Sequence, residues 1–268
     1  MPEDTGILLT AFLTCSLRAS MRSGWRSRGM DLRLAAGRPT SQPRWCHSGP
    51  VDDDRLVGDV PLLGLEVWCR DTRLRGVRER DLPTLADLQS DDVELDPTVE
   101  RFPWHDDDAH RRRLVHRAHW HHLGTWSPSS WTLLLAVEHA GDLVGVQALE
   151  GEEFALTRTV DSWSWLTASA RGRGIGVAMR QAVLGLAFDH LDALAAVSSA
   201  RPTNHASLGV SRRLGYRDNG TSLSAAGGEP LELTHLRLTR DDWQASGLGR
   251  DVAVAGVEPC LPWFGLPA

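Results

Sequence analysis

A mixed α/β domain is predicted from three stretches of this 268-residue chain. In SWTLLLAVEHAGDLVGVQALEG (130–151) two apolar runs flank the turn Ala140-Gly141-Asp142, the pattern of a β-hairpin. In SARGRGIGVAMRQAVLGLAFDHL (169–191) a glycine-rich turn feeds an amphipathic stretch with Ile175, Met179, Ala182, Val183 and Leu186 on one stripe. In ALAAVSSA (193–200) a short apolar run reads as a buried strand, and TNHASLGVSRRLGY (203–216) follows as a second helix. Hydrophobic content of 41% and charged content of 24% fit a globular chain with length enough for a sizeable core.

The elements are read in chain order. LGLEVWCRDTRLRGV (63–77) carries the alternation of a first strand. Asp81 is placed to cap a short helix that turns Leu85 and Leu88 inward. A basic, His-rich helix is expected over roughly 107–123, and the hairpin follows. TVDSWSWLT (159–167) is a strand running into the arginine–glycine turn. The helix after that turn is expected to begin near Gly176 and fade after Asp189. The second helix is capped by Thr203 or Asn204 and stopped at Gly215. LELTHLRLT (231–239) is a late strand, and DDWQASGLG (241–249) a short terminal helix. Residues 1–60, rich in Arg, Ser, Gly and Pro, show no sustained period and are expected to be a poorly structured extension. The folded domain is expected over 61–245, and 246–268 reads as a C-terminal tail.

The glycine turn carries the first chemical signal. Gly172, Gly174 and Gly176 let backbone approach a ligand closely, and the opening amides of a helix attract an anion. Arg171 and Arg173 add positive charge beside them. Three phosphate loops compete. A P-loop ends in Gly-Lys-Ser/Thr, but all 29 basic residues of this chain are arginines, which also excludes Schiff-base lysine chemistry. A dinucleotide turn needs G-x-G-x-x-G and an acid about 20 residues on; here the spacing is G-x-G-x-G and no such acid follows. What remains is R-x-x-G-x-G, Arg171 to Gly176.

That motif resembles the acyl-CoA diphosphate loop of the GNAT superfamily of N-acetyltransferases. NHASLGVSRRLGY (204–216) is similar to the family's "N-x-x-S/A … L-G-F/Y" segment, and the element order agrees over about 63–244. The resemblance is nearest to the RimJ/RimL-like branch, which acetylates N-terminal amines of ribosomal proteins. It implies a GNAT fold, a central and mostly antiparallel mixed sheet flanked by helices in one domain. It also implies acetyl-CoA as co-substrate and direct transfer to a primary amine, a protein N-terminus or a small molecule.

By the same resemblance the coenzyme is held by Leu166, Thr167 and Ala168 at the strand end, and by Arg171, Gly172, Arg173, Gly174, Ile175, Gly176, Val177 and Ala178 in the loop and first helical turn. Asn204 and Ser207 on the second helix join them. Ser211 stands where many relatives carry a tyrosine that protonates the leaving thiolate, and a serine hydroxyl is a poor acid. Many relatives place a glutamate base on the strand before the loop; here Asp161 is that strand's carboxylate, with Glu150, Glu152 and Glu153 at the hairpin end as further candidates. The missing tyrosine and the missing strand glutamate leave a catalytically weak acyl-CoA-binding regulator of the same fold as the alternative.

Other features are read as bland. HRAHWHH (116–122) lacks a second ligand group at metal spacing, so no metal is expected. Trp126, Trp131, Trp163 and Trp165 are core or acceptor-pocket residues. A net charge of −6 points away from nucleic acid. Cys15, Cys46, Cys69 and Cys260 form no C-x-x-C pair and read as reduced thiols. The apolar run near the start follows an acidic flank, MPEDT, unlike a signal peptide. A cytoplasmic enzyme without membrane attachment is expected, with a homodimer left open.

Overall fold

The computed structural model describes residues 53–95, 99–226 and 229–267. Nine strands form one sheet in the order β7-β8-β6-β5-β4-β3-β2-β1-β9. The strands are β1 (Glu66–Cys69), β2 (Thr72–Gly76), β3 (Ser130–His139), β4 (Asp142–Glu152), β5 (Thr159–Leu166), β6 (Ala195–Ala200), β7 (Arg217–Ala226), β8 (Glu229–Thr239) and β9 (Val252–Ala255). The helices are α1 (Asp53–Asp59), α2 (Leu82–Leu88), α3 (Asp107–Gly124), α4 (Phe154–Thr157), α5 (Ile175–Gly185), α6 (His205–Arg213) and α7 (Arg240–Ser246).

The expected β3–β4 hairpin is present. Ala140 and Gly141 both take positive φ, 53° and 91°, as a tight two-residue turn between right-twisted strands requires. Two readings change. The single strand expected over 63–77 is a hairpin, because Arg70 takes a left-handed φ of 54° and reverses the chain between β1 and β2. Asp81 sits at the start of α2 without capping it: its carboxylate accepts from the Arg78 amide (2.9 Å) and pairs with Arg75 (2.6 Å).

The sheet has two apolar faces. One carries Leu133, Leu135, Val137, Leu149, Val160 and Leu166, and α5 packs there with Ile175, Met179, Ala182 and Val183. The other carries Ala136, Val146, Ala148, Trp163 and Trp165 beneath α2 and α3. Period-two alternation divides β5 between them: Trp163 and Trp165 face α2 and α3, Val160 and Leu166 face α5.

The stretch read as a tail closes the first face. β9 pairs antiparallel with β1 from Glu66↔Ala255 to Cys69↔Val252. Phe264 is fully buried, its ring 4.8 Å from Trp131, and the Trp126 indole donates to the Trp263 carbonyl at 2.9 Å. These residues lack a long period, so their fate depends on an aromatic pocket built by distant strands. The segment 53–59, inside the expected extension, is helical, and the rest of that extension lies outside the described residues.

Candidate active site

The site begins where β5 and β6 part. They are the parallel neighbours of the sheet, and they pair only at Thr159↔Ala195 and Val160↔Ala196. The Thr167 amide donates to the Val144 carbonyl (2.9 Å) and the Trp163 carbonyl accepts from the Gln147 side chain (2.9 Å). Odd-numbered residues of β5 therefore turn their backbone groups to β4. The period of two turns those of Ser162, Ser164 and Leu166 toward β6, which has diverged. The gap is a cleft of about 420 Å³, walled by β5, β6, the glycine loop and α6.

The loop delivers amides to the cleft mouth. Gly174 is the N-cap of α5 in the left-handed region, and Gly172 shares that conformation (φ 85° and 70°). A side chain at either position would meet open space, so the backbone there is bare to a ligand. Val177 and Ala178 donate to the Gly174 carbonyl, leaving the earlier amides of the turn without a helical acceptor. Arg173 stands exposed at the tip.

Arg171 is engaged elsewhere than the expected diphosphate. Its guanidinium forks onto Asp92 (2.5 and 3.0 Å), and its Nε donates to the Leu166 carbonyl (3.0 Å). That pairing holds the Asp92 carboxyl below the usual carboxylate range. Ser90 in the same segment accepts from the Ala168 amide (3.2 Å), and Glu94 pairs with Arg201 just beyond β6 (2.6 Å). The segment between α2 and α3 thus straps both arms of the cleft. Thr167 and Ala168, expected to bind the coenzyme through backbone, spend their amides on Val144 and Ser90.

Of the other expected contacts, Leu166, Gly172, Gly174, Gly176, Val177, Asn204 and Ser207 line the cleft. Ile175 and Ala178 are buried in the core. Asn204 is the true cap of α6, its Oδ1 accepting from the Ser207 amide at 3.0 Å. Its Nδ2 is buried with no hydrogen-bond partner, a spare donor at the cleft wall. Ser211 does not join them. It is fully buried, its hydroxyl has no partner, and it does not line the cleft. α6 turns Ala206, Ser207, Val210 and Arg213 to the cleft, while Ser211 turns into the core.

Asp161 lines the cleft, and Glu150 is its direct cross-strand partner on the α2/α3 face. Glu150 accepts from the Trp163 indole (2.8 Å) and the Thr132 hydroxyl (3.3 Å). Burial, reinforced by Asp161, pushes the Glu150 carboxyl up to about 7. Burial pushes Asp161 up to about 6, against the pull of the Ser162 amide and Arg180. Two facing carboxyls with these properties bind a proton near neutrality. Glu152 and Glu153 are exposed beyond the end of the pair.

Trp163 and Trp165 line the cleft, whereas Trp126 and Trp131 stack on each other in the opposite core. The histidines of α3 are structural: burial pushes His122 down to about 3, and His116 Nδ1 donates to the Arg112 carbonyl (2.8 Å). Among the described residues no group of three or more His, Cys, Asp or Glu is arranged to hold a metal, and no helix is long and apolar enough to cross a membrane.

Comparison with known proteins supplies the rest. The acetyltransferase (GNAT) domain family matches residues 71–217. Among solved structures, RimJ of Mycobacterium smegmatis in complex with CoA-disulfide is similar at 19% identity and a TM-score of 0.55, over 68% of this chain and 93% of that one. RimL, a ribosomal L7/L12 alpha-N-protein acetyltransferase, is similar at 19% identity and a TM-score of 0.51, over 65% and 94%. Mutant forms of the spermidine/spermine N-acetyltransferase SpeG of Vibrio cholerae reach 13% identity and a TM-score of 0.50, over 66% and 98%. At these identities the likeness is one of fold.

Proposed function

The chain belongs to the GNAT acetyltransferase family, and we propose that it is an acetyl-CoA-dependent N-acetyltransferase acting on a primary amine by direct transfer. The observation that carries this reading is the cleft itself: bare amides at its mouth, β5 backbone that β6 leaves unpaired, and on its wall Asp161, the cross-strand partner of the raised Glu150 carboxyl. The residues fit the coenzyme. The amides of the Gly172–Gly176 turn would take the diphosphate. The backbone of Ser164 and Leu166 and the spare Asn204 amide would take the amide-bearing arm, as an added strand does. Bound there, the coenzyme supplies a thioester whose carbon bonds to the amine nitrogen as its bond to sulfur breaks.

The chain's own part is proton handling. Amines arrive as ammonium ions, and the Glu150–Asp161 pair draws that charge. It takes the proton at a carboxylate oxygen whose affinity is already matched to neutral pH. Asp161, named from sequence, is half of the base, and Glu150 is the half with the higher proton affinity. The two tryptophans wall the acceptor side and keep water out. The unit proposed to do this runs from 61 through 267, since the last residues close the core. Acceptors like those of RimL and SpeG, a ribosomal-protein N-terminus or a polyamine, suit an acidic site.

One observation favours the weaker alternative, a coenzyme-binding regulator: with Ser211 buried behind α6, that helix presents no hydroxyl acid to a departing thiolate. Calorimetric titration with coenzyme A and a thiol-release assay over peptides, polyamines and small amines separate the readings. Coenzyme binding with turnover on an amine supports the enzyme, binding without turnover on any amine supports the regulator, and no binding refutes both.

A further inference from the structure

Arg180 on α5 is a buried cation that the reaction above does not use. It is 4% exposed, yet it lines the cleft. A guanidinium nitrogen donates to the Ser198 hydroxyl (3.3 Å), and its Nε has no partner. Ser162 and Tyr216 stand beside it: the Tyr216 hydroxyl lies within reach of both Arg180 and Ser162, although neither hydroxyl makes a well-aligned bond. A guanidinium keeps its charge in any protein setting, and burying it without a counter-ion is costly. A buried guanidinium that lines the cleft with an unpaired Nε, flanked by hydroxyls, is able to bind a ligand's acceptor group.

Its position says what. Ser162 lies two residues past the last β5–β6 pair, and Ser198 two residues past it on β6. Arg180 is therefore at the closed end of the cleft, opposite the glycine loop. In an acyl-CoA the acyl group is the end remote from the diphosphate. Asp161 is not the missing counter-ion. Arg180 draws the Asp161 carboxyl down, but the two make no ion pair among the described residues, and burial leaves that carboxyl raised to about 6.

We propose that Arg180, with Ser162 and Ser198, recognises the terminal carboxylate of a short dicarboxylic acyl chain, so that the preferred donor is a succinyl- or malonyl-type thioester rather than acetyl-CoA. The proposal rests on the coenzyme reading above and deepens it. The transfer is the same, with nitrogen bonding to the thioester carbon and sulfur leaving with its electron pair; only the acyl group differs. A guanidinium fork matches a carboxylate's two oxygens, and the seryl hydroxyls donate to the same group. An acetyl methyl placed there offers the Arg180 Nε no acceptor.

The test is calorimetry of the full chain with coenzyme A, acetyl-CoA, succinyl-CoA and malonyl-CoA, with and without Arg180→Met. A carboxylate-bearing thioester is expected to bind about tenfold or more tighter than acetyl-CoA, and Arg180→Met to erase that ratio while coenzyme A itself binds as before. Equal affinity for acetyl- and dicarboxylic thioesters in the wild type overturns the proposal, whether or not the variant folds. So does a ratio that survives Arg180→Met. Failure to bind coenzyme A at all defeats the underlying coenzyme reading instead, which keeps the two failures apart.

Discussion

The two sides of β5 do different work with the same eight residues. The odd side, Asp161, Trp163 and Trp165, faces α2 and α3 and pairs across to Glu150, Ala148 and Val146. It is an apolar wall with one raised carboxyl pair at its end. The even side, Ser162, Ser164 and Leu166, faces α5 and turns its backbone into a gap left by the departing β6. Proton affinity is set on one side by burial, and ligand grip is offered on the other by backbone that β6 leaves unpaired, apart from the Ser162 amide held by Asp161 and the Leu166 carbonyl held by Arg171. A strand that diverges from one neighbour while staying paired to the other is what keeps these two environments less than one residue apart.

The sharpest way to break this division is at the odd side. Glu150→Gln should lower kcat by about a hundred- to ten-thousandfold with little change in coenzyme affinity. Wild-type activity should rise with pH through about 6 to about 7 as the pair sheds its proton, a limb the variant lacks. A pH–rate profile with single-turnover kinetics reads both. Stability should run the other way. The folded pair holds protons that the unfolded chain releases at lower pH, so the folded state loses ground as pH climbs from the ordinary carboxylate range to about 7. Thermal melts of wild type and Glu150→Gln across that range check the sign.

The even side breaks at its mouth. Gly174→Glu puts a side chain on a residue at φ 85° and a carboxylate where an anion is expected, so coenzyme affinity should fall by about a hundredfold or more by calorimetry. The strap joining the arms is a smaller lever. Arg171→Ala releases Asp92 and the Leu166 carbonyl, and should cost about 1 kcal/mol of stability in denaturant unfolding, with weaker coenzyme binding as the cleft loosens. Smallest is Ser211→Ala: turnover and coenzyme affinity should stay at wild-type values, because the hydroxyl is buried away from the cleft and makes no bond to lose.

Much of the framework was legible because it rests on local rules. The hairpin at Ala140-Gly141 follows from turn chemistry, α5 from an apolar stripe after three glycines, and the start of α6 from the Asn204 cap. These signals fit inside one or two turns of chain. Arg180 was missed because it sits about 140° around the helix from Ile175, off the apolar stripe, where an arginine ordinarily meets solvent. Only α6 and β6 closing over that flank bury it. Ser211 was named from the resemblance, and its side chain turns into the core rather than to the cleft that Asn204 and Ser207 line.

The sequence by itself determined the β3–β4 hairpin, β5, α5, β6 and α6 in their order, the glycine turn and the family resemblance, since each depends on residues close along the chain. The tertiary structure decided the rest. Glu150 and Asp161 face each other because the β4–β5 register pairs them, and Arg171 finds Asp92 from 79 residues away. The segment after Ser246 becomes a strand and an aromatic plug because β1 offers an edge and Trp131 a pocket. Charge pairing and burial are properties of neighbours in space, and no local period records who those neighbours will be.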